Sequence, residues 1–101
     1  MEEYQVDKYE NILASLAADS ISAIAGVSSP VENRKRRNVQ VYVFDGNNAT
    51  VDVNINVDYG YSVKDVAYHI QTSVKRGIES RTDFVVSNVN VNIIGVIMPI
   101  S

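Results

Sequence analysis

The sequence predicts an α+β fold, a two-layer sandwich with two helices on one face of a mixed, three- to four-stranded sheet. Three observations lead there. In residues 6–25 and 62–81 apolar side chains recur at three- and four-residue steps, the period of a helix with one buried stripe. In residues 39–44, 51–58 and 84–97 apolar and polar positions alternate, the period of a strand with one buried face. The last two strands are separated by a helix, which calls for a parallel crossover rather than a hairpin. One apolar stripe per helix and one apolar face per strand are buried together most economically in two layers.

The elements follow in order. The first helix carries Tyr9, Ile12, Leu13, Leu16, Ala17, Ile21 and Ile24 on one face. Asp7 is its expected N-cap, with Glu10 three residues on as a capping-box partner, and Gly26 is its expected left-handed end. Residues 27–31 contain Pro30 and read as a short edge strand, since proline cannot donate within a sheet. A polar segment follows, and then Val39-Gln40-Val41-Tyr42-Val43-Phe44 as a strand. Asp45-Gly46-Asn47-Asn48 is a turn, because Asp-Gly between alternating runs is a strong hairpin signal. Val51-Asp52-Val53-Asn54-Ile55-Asn56-Val57-Asp58 alternates strictly, with every odd position β-branched.

Ser62 is the expected N-cap of the second helix, with Asp65 three residues later. Val63, Val66, Ala67, Ile70, Val74 and Ile78 form its apolar face, and Lys64, Asp65, Thr72, Lys75, Arg76 and Glu79 its outer one. The helix is expected to end near Arg81. In the last strand Val89, Val91 and Ile93 alternate with Asn88, Asn90 and Asn92, and the pattern breaks at Ile94-Gly95, where a bulge is expected. At 101 residues and 11.2 kDa the chain has room for one domain, residues 1–101.

Composition removes several function classes. With no cysteine there is no disulfide framework, thiolate metal site or thiol nucleophile. Glycine-rich phosphate loops and EF-hand spacing are missing from the sequence, so no cofactor or metal is expected. His69 is the single histidine. Asp65 lies one helical turn before it, but no nucleophile is placed beside the pair, which reads as an exposed helix pair rather than a general base. The chain is therefore expected not to be an enzyme. Its ends carry neither a basic leader nor the roughly 20 apolar residues of a membrane span, so the expected location is the cytoplasm or the inner face of the membrane.

Two features point to contact surfaces. Arg34-Lys35-Arg36-Arg37 places four cations together in a protein of net charge −3; without them the remainder would carry −7. This cluster is a candidate contact for anionic surfaces, weakly for lipid, or simply a solvated loop. The second feature is amide-rich strand faces. Asn54, Asn56, Asn88, Asn90 and Asn92 share the outward side with Gln40, Tyr42 and Phe44, although asparagine is depleted in strands. An uncharged amide row with two aromatics is poorly defended against another sheet, so this face is the candidate self-association surface, with Asp52 and Asp58 expected at its rim. The alternative is a small nucleic-acid-binding protein using the basic loop. Nucleic acid is the less favoured partner, because no cation alternates with Tyr42 and Phe44 and the two aspartates repel phosphate.

From Val39 onward the chain resembles the alkaline shock protein family, the envelope stress response proteins of mainly Gram-positive bacteria. The resemblance rests on Val51-Asp52-Val53-Asn54-Ile55-Asn56-Val57, on Tyr59-Gly60 leading into Ser62-Val63-Lys64-Asp65-Val66-Ala67, on Ile70-Gln71 with Val74, and on Val89-Asn90-Val91-Asn92-Ile93-Ile94-Gly95-Val96. It departs from the family at the start, where only Tyr4-Gln5-Val6 stands in place of a strand before the first helix. The resemblance implies a non-enzymatic stress protein that forms homo-oligomers and lies near the membrane, often through a small membrane-anchored protein partner. It implies no catalytic residues.

Overall fold

The computed structural model describes residues 2–28 and 39–98, with the side chains of the first helix from Tyr9 on. The elements are α1 (Glu2–Ser22), β1 (Val39–Phe44), β2 (Asn48–Asp58), α2 (Val63–Glu79) and β3 (Val85–Ile97). The sheet order is β1-β2-β3, with β1 antiparallel and β3 parallel to the central β2. Both helices cover one face, giving the expected α+β sandwich with three strands.

The hairpin forms as Asp45-Gly46 predicts. Asp45 (φ 50°) and Gly46 (φ 83°) both take positive φ within a three-residue loop, Asp45 to Asn47, in which Asn47 donates its N–H to the C=O of Asp45 at 3.0 Å. Asn48 belongs to β2 rather than to the turn, where it pairs with Phe44. Ser62 caps α2 as expected, its Oγ accepting the N–H of Asp65 at 3.3 Å. The helix ends at Glu79, with Ser80 as C-cap, short of Arg81. Val63 in the first turn is exposed rather than buried.

α1 departs further from expectation. It begins at Glu2, so Asp7 lies inside the helix and is not its N-cap. It ends at Ser22, and Gly26 (φ 93°) instead shapes the turn that follows. No side chain fits at Gly26, since a Cβ would stand 2.8 Å from the Tyr61 ring and 2.9 Å from Val66. The buried stripe is Leu13, Ala17 and Ile21. Ile12 sits one residue off that stripe and is half exposed. Tyr9 continues it but is half exposed, with the Phe84 ring beside it at 5.9 Å between centroids. Of the expected edge strand at 27–31, the described part is one antiparallel bridge, Val27 to Val57; residues 29–31 fall outside the described range.

The core lies between the layers. Val51, Val53 and Val57 of β2 meet Leu13 of α1 and Ile70, Val74 and Ile78 of α2, all at most 1% exposed. Among the described residues it contains no buried polar side chain. Each Leu or Ile brought fully inside contributes about 1.5–3 kcal/mol. The helices approach closely at Gly77, where a Cβ would collide with Ser20 Oγ.

β3 pairs with β2 through two interruptions. The step from Ala49–Val86 to Thr50–Asn88 leaves Ser87 unpaired, and the step from Ile55–Ile93 to Asn56–Gly95 leaves Ile94 unpaired. The second is the bulge expected from the broken alternation. The first has no comparable sequence signal, because Val85-Val86-Ser87 shows no clear alternation to break.

Candidate interaction surface

The helices leave the other side of the sheet uncovered, and its composition follows from register. Paired residues on neighbouring strands point to the same face. The rows across the open face are therefore Phe44, Asn48, Val85; Tyr42, Thr50, Asn88; Gln40, Asp52, Asn90; then Asn54, Asn92; and Asn56, Gly95. Tyr42, Phe44, Asn54, Asn56, Asn88, Asn90 and Asn92 thus share one surface. Tyr42 (49%) and Phe44 (43%) are exposed, enough apolar area to matter in a contact.

The amides are not all idle. Asn92 Nδ2 donates to Asn54 Oδ1 at 3.0 Å, and Asn90 Nδ2 to Asp52 Oδ1 at 2.8 Å. Tyr42 donates its hydroxyl proton to Gln40 Oε1 at 2.7 Å. Asp52 does not lie at the rim. Because β3 adds outside β2, the strand carrying Asp52 is central, and the carboxylate stands in the middle of the face.

Parts of the sheet edges are capped by side chains and backbone from elsewhere. Along β1, Glu10 Oε2 accepts the N–H of Val43 at 3.1 Å, which replaces the capping-box role expected for it. Beyond the end of β1, the free side of β2 is closed by Ser28 N–H to Asn56 C=O (2.9 Å) and Asp58 N–H to Gly26 C=O (2.8 Å). Along β3, three α2 side chains at four-residue spacing reach the strand. Gln71 Nε2 donates to the C=O of Val89 at 3.3 Å, Lys75 Nζ to the C=O of Val86 at 3.3 Å, and Glu79 Oε2 accepts the N–H of Val86 at 2.8 Å. Lys75 and Glu79 also pair at 2.7 Å. The Lys75 ammonium, seconded by the Val86 N–H, holds the Glu79 carboxyl below its ordinary range.

Sequence reasoning placed Lys75 and Glu79 on a solvated helix flank. The signal for their edge role was the spacing of Gln71, Lys75 and Glu79, long hydrogen-bonding side chains bordering the apolar stripe. It also missed an apolar end of the sheet, where Tyr59, Ile94, Val96, Ile97 and Met98 are exposed.

The remaining candidates are not brought together. His69 and Asp65 are both exposed on α2, and no hydrogen bond joins them. No three metal-ligating side chains cluster among the described residues. A shallow cleft of about 300 Å³ between the helices is lined by Ser20, Ser73, Arg76 and neighbours, without a convergent nucleophile and base. Arg34, Lys35, Arg36 and Arg37 lie outside the described residues. No described helix is long and apolar enough to cross a membrane.

A family model described as having a cell envelope-related function, that of alkaline shock protein 23, matches residues 3–98. No curated protein and no solved structure matches the chain.

Proposed function

We propose that this chain, which belongs to the alkaline shock protein family with its cell envelope-related function, is a non-catalytic interaction and scaffolding module of the envelope stress response. It associates with copies of itself and lies peripherally at the inner face of the membrane, carried there by a small membrane-anchored partner. The observation behind this reading is the uncovered sheet face, on which Tyr42 and Phe44 stand exposed beside an amide row. Aromatic residues are enriched at interface cores, and amides meet a partner without desolvating a charge. Asp52 at the centre of the face requires a cation opposite it, and the segment Arg34-Lys35-Arg36-Arg37 of a neighbouring copy can supply one. The same aspartate, with Asp58 in the same strand, argues against a nucleic-acid platform.

The test compares sedimentation of the native chain with that of a Tyr42→Lys/Asn54→Lys double variant at tens of micromolar. The native chain is expected to assemble in a salt-sensitive way and the variant to form a smaller species whose size salt does not change. Identical behaviour of the two removes the face from the reading. Turnover in a broad substrate screen that is lost in His69→Ala would overturn the non-catalytic part.

A further inference from the structure

Among the described residues the outer edge of β3 is only half covered. Along an extended strand the N–H and C=O of one residue point to one side and those of the next residue to the other. Val89 turns its C=O outward to Gln71, so Val91 and Ile93 also direct their backbone groups outward, while Asn90 and Asn92 face β2. No α2 side chain hydrogen-bonds to the strand beyond Val89 among the described residues. The bulged Ile94 beside this opening is 64% exposed. Unpaired strand edges are usually defended by charge, proline or a cover. From Phe84 to Met98 this segment has no Asp, Glu, Lys, Arg or Pro. On the outer edges Glu10 takes the N–H of Val43, and α2 side chains take backbone groups of Val86 and Val89; among the described residues nothing takes those of Val91 and Ile93.

We propose that this opening is a strand-addition site for a second copy of the chain, β3 pairing antiparallel with β3 about a two-fold axis at Asn92. In that register Val91 of each copy lies opposite Ile93 of the other. Since both turn their backbone groups outward, they form hydrogen-bonded pairs that exchange both N–H···O bonds. Nothing charged is set against its own image, a condition the edge meets by composition. Asn92 of one copy faces Asn92 of the second in the close, non-hydrogen-bonded position. Each Asn92 already gives one amide proton to Asn54 and retains a second proton and the Oδ1, so the two amides can bond reciprocally. A foreign strand would satisfy the backbone equally well but has no reason to bring an amide to that position. The pairing leaves the open face free and joins two such faces into one continuous surface. It rests on the self-association proposed above and names a separate contact for it.

The test exploits a chain without cysteine. Asn92→Cys places two thiols across the axis, where Cα atoms of a non-hydrogen-bonded pair are about 4.5 Å apart, within the span of a disulfide. Mild oxidation is expected to convert most of this variant to a covalent dimer, and Asn54→Cys, on the central strand away from the edge, to far less of it. Amide exchange of the native chain supplies a second readout. Protection of Val91 and Ile93 is expected to rise roughly tenfold or more from dilute to concentrated protein. Cross-linking of Asn54→Cys but not Asn92→Cys, in a native chain that does assemble, would overturn the edge pairing and keep the face contact. A native chain that stays monomeric at tens of micromolar would overturn both. Protection of Val91 and Ile93 that does not depend on concentration would also overturn the pairing.

Discussion

Glu79 Oε2 accepts the backbone N–H of Val86 at 2.8 Å, so the last turn of α2 reaches down and closes the first part of the β3 edge. Lys75 completes the arrangement by bonding both the Glu79 carboxylate and the Val86 carbonyl. A helix that packs its apolar stripe on the sheet thereby also protects the edge at which the next strand would otherwise add.

This contact makes a pH prediction. The Glu79 carboxyl titrates below its ordinary range in the folded chain, chiefly through the bond from Lys75. A depressed folded pKa stabilises the protein above the unfolded value of about 4.3, and that contribution is lost as pH falls through the folded pKa. Native chain and Glu79→Gln are therefore expected to differ in urea midpoint at pH 7 and to converge as the pH drops below about 4. Urea unfolding at a series of pH values measures this; a gap that stays constant down to acid would show that the carboxylate charge contributes nothing.

The crossing of α1 and α2 at Ser20 and Gly77 makes a packing prediction. A Cβ at position 77 collides with Ser20 Oγ, which donates to the C=O of Leu16 at 2.9 Å. Gly77→Ala is expected to destabilise by about 1–3 kcal/mol, because the helices must part or Ser20 must give up its bond. Adding Ser20→Ala should recover part of the loss, and thermal unfolding of the two single variants and the double variant measures the coupling.

The basic segment makes a binding prediction. Four cations near an anionic surface contribute about 1 kcal/mol each, which corresponds to a dissociation constant near 1 mM. Co-sedimentation with vesicles containing anionic phosphatidylserine is expected to be weak for a monomer, to fall from low to physiological salt and to disappear when Arg34, Lys35, Arg36 and Arg37 are replaced by Gln. Stable residence at a membrane then requires many copies or an anchored partner.

Much of the architecture was legible because its signals are local. The alternation of Val51 to Val57 with Asp and Asn is enough to assign a face to each residue of β2, and Asp45-Gly46 selects the hairpin turn. Ser62 and Asp65 mark the start of α2, and the Ile94-Gly95 break marks a bulge. The start of α1 was misread because Glu2 to Val6 lack the apolar period, yet nothing there opposes helical dihedrals. The candidate face was legible residue by residue, since period two puts Tyr42, Phe44 and the asparagines on one side whichever strands pair.

By itself, then, the sequence determined where the middle of each helix and main strand lies, which side of each is apolar, and the family to which the chain belongs. Only the tertiary structure decided the strand order. Strand order places Asp52 at the centre of the open face rather than at its rim, and it turns Gln71, Lys75 and Glu79 into caps on β3 while leaving Val91 and Ile93 open. The reason is physical. Periodicity records whether a side chain meets water or core, a property of one position, whereas an edge is defined by which strand is missing beside it. That depends on contacts between residues far apart in the chain, and it leaves no regular mark on the residues that form the edge.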